Sequence, residues 1–303
     1  MSDFVVVHAE CVNEFKDSVC HIVLVPFHNG LKHEPIHFYM NPKADVFRWV
    51  QSGLSEKEVD SFKPFIEVWG DVEQELQKYP MVVSTSDGYS VQAIYKTLMR
   101  LDIPFKPFKY VNIKPILRKS EKLLSYSFDF LNQQLYKDYI DVSLFEAVAL
   151  RWFDVLMKFL ADPNVDIEDF CNANRIRVGY VSADEFIPCR IKPKDSKTKN
   201  KLDLSGVEIN INEDHPFYNH SFVFTGKMDL PRADARRAVV AVGGLAPENV
   251  TKDLDYLVVG TQDLRVVGES GLSGKMKKAA SFNEKGAEIE VITEQDFMEM
   301  LNS

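Results

Sequence analysis

Two short stretches of this chain place polar side chains at spacings suited to phosphate chemistry. The first is FVVVHAECVN, residues 4–13. Phe4 to Val7 are an apolar run that predicts a buried strand, and residues two apart on a strand point to the same face, so His8 and Glu10 look into one site. Cleaving a phosphodiester with two divalent cations about 3.5–4 Å apart needs anionic oxygen ligands, because the metals activate a water and stabilise the leaving oxygen. Glu10 is such a ligand. His8 is not, since a neutral imidazole suits Zn²⁺ or Mn²⁺ rather than Mg²⁺. The second stretch is FTGKM at 224–228. Thr225 offers a hydroxyl and Gly226 an unobstructed backbone N–H at the end of a strand, while Lys275 opens a helix whose first N–H groups favour an anion. Together they can hold one phosphate.

The chain must be large enough to position both. Its 303 residues predict about two domains, and 45% hydrophobic with 12% aromatic residues supports packed cores rather than disorder. A formal net charge of −9 excludes a protein that coats nucleic acid non-specifically, because such binding rests on neutralising phosphates. Nucleic-acid contact then falls to a local patch, either KPKDSKTKNK at 192–201 or the cluster Lys275, Lys277 and Lys278. MSDFVVVHAE lacks a charged n-region followed by a long apolar run, and no apolar run approaches the roughly 20 residues of a membrane span. A soluble, cytoplasmic protein with no membrane partner is expected. Cys11, Cys20, Cys171 and Cys189 have neither CxxC spacing nor the density of a disulfide framework, so they are expected to be reduced core thiols.

Strand-like and helix-like signals alternate over the first 160 residues. After the strand at 4–12, VCHIVLVPF and EPIHFYM flank Asn29-Gly30, a pair that favours a tight turn and an antiparallel hairpin. Ser55 and Glu58 fit a capping box, and PFIEVWGDVEQEL places Phe65, Val68, Trp69, Val72 and Leu76 on one helical face. MVVST predicts a short strand, YSVQAIYKTLMRL a helix and VSLFEAVALRWFDVLMKFL a long apolar helix with a core stripe of Val148, Trp152, Val155 and Phe159. The order β-β-β-α-β-α is an α/β layer fold. Between 161 and 217 the pattern weakens: DIEDFCNANRI suggests one more helix, and KPKDSKTKNK reads as a flexible basic linker or a nucleic-acid-contacting arm. From 218 order returns. SFVF, DYLVVG and AEIEVI alternate with helices begun by Pro231, by Gly274 and by the cap Thr293, which predicts a small parallel sheet covered on both faces.

FTGKM, Arg232, Gly243-Gly244, VTKDLDYLVVG, SGKMKKA and ITEQDF, in this order over 218–303, resemble a BRCT domain. Phe297 stands where that family usually has Trp. The resemblance implies that Thr225, Gly226 and Lys275 bind phosphate, on a phosphopeptide or on a 5′-phosphorylated DNA end, and that Arg232 matches a further phosphate contact of the DNA-binding type. A single copy favours DNA ends, because phosphopeptide recognition often uses a pair.

Over residues 4–160, SVCHIVLV, GLSEKEV, FIEVWGDV and MVVSTSDGYSV resemble in order the proofreading, DNA polymerase III epsilon-like 3′–5′ exonucleases of DEDDh type, with a ribonuclease-H-like fold. That resemblance implies Asp-x-Glu on the first strand, an Asp closing the segment after MVVST, and a His followed five residues later by an Asp on the long helix. This chain has His8 and Glu10, then Ser90 after Thr85, Ser86 and Tyr89, then Asp141 and Glu146. Glu10 is kept, Glu146 is a homologous substitute, and an acid replaces the general base. Glu10 and Glu146 are the residues left to bind metal; Asp87 or Asp141 would have to move in to restore a catalytic set.

The expected architecture is therefore α/β, with a degenerate ribonuclease-H-like exonuclease domain at 1–160, a connecting segment at 161–217 and a small parallel-sheet BRCT domain at 218–303. The expected function is DNA replication- or repair-associated binding of a 5′-phosphorylated DNA end or a phosphorylated protein, with no cofactor. Two alternatives stand beside it: an active 3′–5′ exonuclease using Mg²⁺ or Mn²⁺ through relocated ligands, and a scaffold that binds protein only. His33 and His37 fall on one face by alternation and are expected in surface or packing roles.

Overall fold

The structure of the chain, a computed structural model, describes residues 3–48, 52–85, 88–123, 125–160, 166–192, 215–261 and 272–302. Two compact units are present, one of Met1–Ser120 with Phe128–Ile191, the other of Glu121–Ser127 with Lys192–Ser303.

The first unit is built on β1 (Phe4–Cys11), whose residues Phe4 to Val7 are 0% exposed. A continuous apolar run suits a strand covered on both faces. β2 (Val19–His28) pairs with it antiparallel, and β3 (Leu31–Lys32) returns through Asn29 and Gly30, both at positive φ (53° and 77°), the backbone a two-residue hairpin turn demands. β4 (Ile36–Tyr39) also pairs with β2. On the other side of β1, β5 (Met81–Ser84) and β6 (Phe108–Asn112) run parallel to it.

Helices cover this sheet as the apolar spacing predicts. α1 (Glu56–Ser61) starts from a Ser55–Glu58 capping box, and α2 (Phe65–Leu76) buries Phe65, Trp69, Val72 and Leu76. α3 (Tyr89–Arg100) follows β5. α4 (Ile113–Ser120) and α5 (Phe128–Tyr136) precede α6 (Phe145–Phe159), which buries Val148, Trp152, Val155 and Phe159.

This unit continues past residue 160. α7 (Ile167–Ala173) starts from Asp166, whose side chain accepts from the N–H groups of Glu168 and Asp169. Beyond it, β7 (Ile176–Arg177) pairs with β10 (Arg190–Ile191), while β8 (Gly179–Val181) and β9 (Phe186–Ile187) extend the main sheet, whose order is β3-β2-β1-β5-β6-β8-β9. Gly179 permits that extension: a Cβ there would lie 2.3 Å from the ring of Tyr110. Strands of two or three residues are too short for alternation to register. Of the basic stretch 192–201, all but Lys192 lies outside the described residues.

In the second unit β11 (Phe222–Thr225), β12 (Tyr256–Val259) and β13 (Glu290–Thr293) form a parallel sheet in that order. α8 (Arg232–Ala241), α9 (Gly274–Glu284) and α10 (Glu294–Leu301) accompany it. Alternation sorts the core: Phe222 and Phe224 join Phe217, Val239 and Phe297 on one side, while Val223 joins Leu257, Ala279 and Ile289 on the other. Phe297 is 0% exposed, with ring centres 5.1 Å from Phe217 and 5.2 Å from Phe224. At the start of the sheet, Ser221 N and Oγ both donate to Asp255 Oδ2, at 2.9 and 2.8 Å, and Asp255 N donates back to Ser221 Oγ. Burial alone would raise the Asp255 carboxyl, but the bonds and charge of His220 and the bonds from Ser221 hold it below its ordinary value.

Among the described residues no helix is long and apolar enough to cross a membrane. All four cysteines are buried free thiols, and burial raises Cys11, Cys20 and Cys171.

Candidate functional site

On β1, His8 and Glu10 share one face, and the structure brings His8 and Ser90 together through Thr85. His8 Nδ1 lies 2.8 Å from Thr85 Oγ1, Thr85 Oγ1 lies 3.1 Å from Ser90 Oγ, and Ala9 N donates to Ser90 Oγ at 3.0 Å. Ser90 sits in the first turn of α3, which begins at the turn Gly88 makes with φ 97°. The hydroxyl thus does backbone work. An aspartate there would be anionic and buried, with the Ala9 N–H as one of its donors.

Phe145, the first residue of α6, stacks on His8 at 4.2 Å and tilts against His21 at 4.6 Å. These contacts desolvate both imidazoles and push each down to about 3; for His21, His37 and His8 add to the lowering. A second polar chain runs from His21 Nε2 to His37 Nδ1 at 3.1 Å and from His37 Nε2 to Glu146 Oε2 at 2.8 Å, with Tyr39 stacked on His21 at 4.2 Å.

Glu10 is 5% exposed and its carboxylate is occupied: Ser52 N donates to Oε1 at 2.7 Å and Ser52 Oγ to Oε2 at 2.6 Å. Asp141 precedes α6 rather than lying on it. It is exposed and accepts from Ser143 N at 2.9 Å, a bond that lowers its carboxyl. Ser86 and Asp87 lie outside the described residues. Among the described residues no three His, Cys, Asp or Glu side chains stand close enough to share a cation. Among the described residues the donor set is two engaged carboxylates, Glu10 on Ser52 and Glu146 on His37, beside imidazoles and hydroxyls, which does not fit a Mg²⁺ pair.

The second unit presents a different arrangement. Thr225 ends β11 and donates from Oγ1 to Ser273 Oγ at 2.9 Å; Ser273 in turn caps α9, accepting from Met276 N. Gly226 follows at φ 83°, its carbonyl held at 2.9 Å by Arg232 Nη2. Lys275 Nζ donates to Phe224 O at 3.0 Å. Two hydroxyls, a lysine and an arginine therefore converge where β11 ends and α9 begins. Burial, then the positive charges of Arg232 and Arg236, lower the proton affinity of Lys275. An anion at this point would relieve that repulsion. Sequence reasoning named Thr225, Gly226, Arg232 and Lys275; Ser273 was visible as a helix cap in SGK, and Arg236 carried no signal of its own.

Residues 212–301 match the family model of the BRCA1 C Terminus (BRCT) domain. This segment is a BRCT domain. Among curated relatives, a DNA ligase of Dehalococcoides mccartyi is 28% identical over 130 residues, 41% of this chain and 17% of the ligase. A DNA ligase of Halothermothrix orenii is 36% identical over 90 residues, 27% of this chain and 13% of the ligase. The chain thus spans less than a fifth of the length of these relatives. Among solved structures, Exonuclease X in complex with 5′ overhanging duplex DNA aligns with a TM-score of 0.40 and 14% identity, over 56% of this chain and 98% of that one. That score is too low to assign the first unit's fold. The BRCT domain's hydroxyls and cations form the more complete of the two sites.

Proposed function

We propose that the protein is a DNA replication- or repair-associated binding protein whose BRCT domain captures a 5′-phosphorylated DNA end, and whose first unit is a ribonuclease-H-like exonuclease scaffold of DEDDh ancestry without nuclease chemistry. The observation that carries this reading is the convergence of Thr225, Ser273, Arg232 and Lys275, with Arg232 and Arg236 acting against the charge of Lys275. A phosphate monoester supplies both the charge and the acceptor oxygens such a group needs. The match of curated DNA ligases supports DNA over a phosphorylated protein as the ligand.

For the first unit, support comes from the residues that stand at the family's metal-ligand positions and from the engagement of its polar groups. His8 is bonded to Thr85, Ser90 to Ala9, Glu10 to Ser52 and Glu146 to His37. Glu10 and Glu146 are then remnants, and no metal cofactor is required.

The deciding experiment compares the affinity of the full chain for 5′-phosphorylated and unphosphorylated duplex. A preference for the phosphorylated end is expected, and equal affinity would defeat the proposal. Preference for a phosphopeptide over both duplexes would move the ligand from DNA to protein.

A further inference from the structure

The phosphate pocket leaves one neighbouring charge unexplained. Arg236 stands four residues after Arg232 on α8, so the two guanidinium stems leave the same face of the helix. Its Nη2 donates to Ala246 O at 2.9 Å, its Nη1 lies 3.5 Å from Glu248 Oε1, and its Nε is buried with no hydrogen-bond partner among the described residues. A guanidinium has five N–H donors in a planar fork. One carbonyl and one loosely placed carboxylate leave that fork largely unused.

Glu248 is the weak point of the group. Its side chain is 76% exposed against 22% for Arg236, and a pair open to water holds its partners loosely. Among the described residues it is also the acid that acts on Lys275: Arg232 and Arg236 disfavour the Lys275 proton and Glu248 favours it. All four side chains thus lie in one electrostatic neighbourhood, with a detachable anion on the arginine best suited to bidentate oxyanion binding.

We infer that Arg236 is a third cationic arm of the phosphate site and that Glu248 is a built-in competitor, which an incoming phosphate displaces from it. This rests on the phosphate-binding reading of the BRCT domain. The ligand class is a terminal phosphate monoester, which carries about −1.5 to −2 charge at neutral pH. Its charge and three acceptor oxygens exceed what a single carboxylate offers the same guanidinium.

The test is a double-mutant cycle on the full chain, with binding of 5′-phosphorylated duplex as the readout and a thermal melt as the check on folding. Glu248→Gln is expected to tighten binding about threefold, and Arg236→Gln to weaken it about tenfold. Arg236→Lys should recover part of that loss. In the Arg236→Gln background, Glu248→Gln should change nothing, because the competitor no longer has anything to occupy. Wild-type affinity in Arg236→Gln, or undiminished tightening by Glu248→Gln in that background, overturns the inference. Should Arg236→Gln fail to fold, exposed Glu248 decides alone, and no tightening in Glu248→Gln overturns it. If the wild type fails to distinguish phosphorylated from unphosphorylated duplex, the phosphate reading falls and takes this inference with it, an outcome separate from a failure of Arg236 alone.

Discussion

The polar groups of the two units are arranged in opposite ways. In the first, they bond mainly to one another: His8, Thr85, Ser90 and the Ala9 N–H form one chain, and His21, His37 and Glu146 another, with His8 Nε2 and His21 Nδ1 buried and without a hydrogen-bond partner among the described residues. In the BRCT domain, like charges are held side by side: Arg232 and Arg236 both act against the charge of Lys275. Groups bonded to one another within the fold are held in place by it; a cluster of like charges costs the fold stability and is relieved by an anion. That contrast underlies the proposal that the first unit is a scaffold and the BRCT domain the binding module.

Removing the lysine should break the contrast most severely. Lys275→Ala is expected to weaken binding of 5′-phosphorylated duplex by about 10- to 100-fold while leaving unphosphorylated duplex nearly unchanged, since charge-assisted bonds contribute about 1.5–3 kcal/mol. Unchanged affinity would put this pocket on the same footing as the first unit's network. In that network, Ser90→Ala leaves the buried Ala9 N–H without its acceptor, so a loss of about 1–3 kcal/mol in denaturant unfolding is expected, with no change in duplex binding. A fall in DNA affinity instead would mean that the first unit is not merely scaffold.

The desolvated imidazoles, half-buried His8 and buried His21, add a pH dependence. His8 and His21 titrate at about 3 in the folded chain against 6.5 when exposed. Between those values the unfolded chain binds protons that the folded chain refuses, so stability is full above about pH 6.5 and is lost progressively as pH falls toward 3. His8→Gln should flatten that acid slope by up to one proton, about 1.4 kcal/mol per pH unit, measured as unfolding free energy across the window. A slope as steep as wild type would count against burial of His8. The smallest effect is expected for Ser273→Ala, which removes a helix cap and costs about 1 kcal/mol. It should also weaken phosphate binding by a few fold, because the cap and Thr225 share a hydrogen bond.

Much of this architecture was legible in the sequence because the signals are local. Asn29-Gly30 made its turn, Ser55 and Glu58 their capping box, and Phe65, Trp69, Val72 and Leu76 their buried stripe. β6, α4 and the short strands β7 to β10 were not read, since their apolar residues come in pieces too short to show a period. The sites divide along the same line. Thr225, Gly226, Arg232 and Lys275 were legible through separated motifs of one family. What Glu10 and Glu146 do depends on partners 42 and 109 residues away, Ser52 and His37, and no local spacing carries that information. Arg236 has no motif of its own in the sequence, and its pairing with Glu248, twelve residues on, is a matter of the fold.

The clamp between Ser221 and Asp255 bears on affinity although it touches no ligand. β11 is four residues long, so its anchored beginning and the hydroxyl of Thr225 are separated by only about 13 Å of extended backbone. Such a short, pinned rod has few ways to wander. Its tip is already aimed before an anion arrives, and the entropy that a floppy loop would surrender on capture is spent at folding instead.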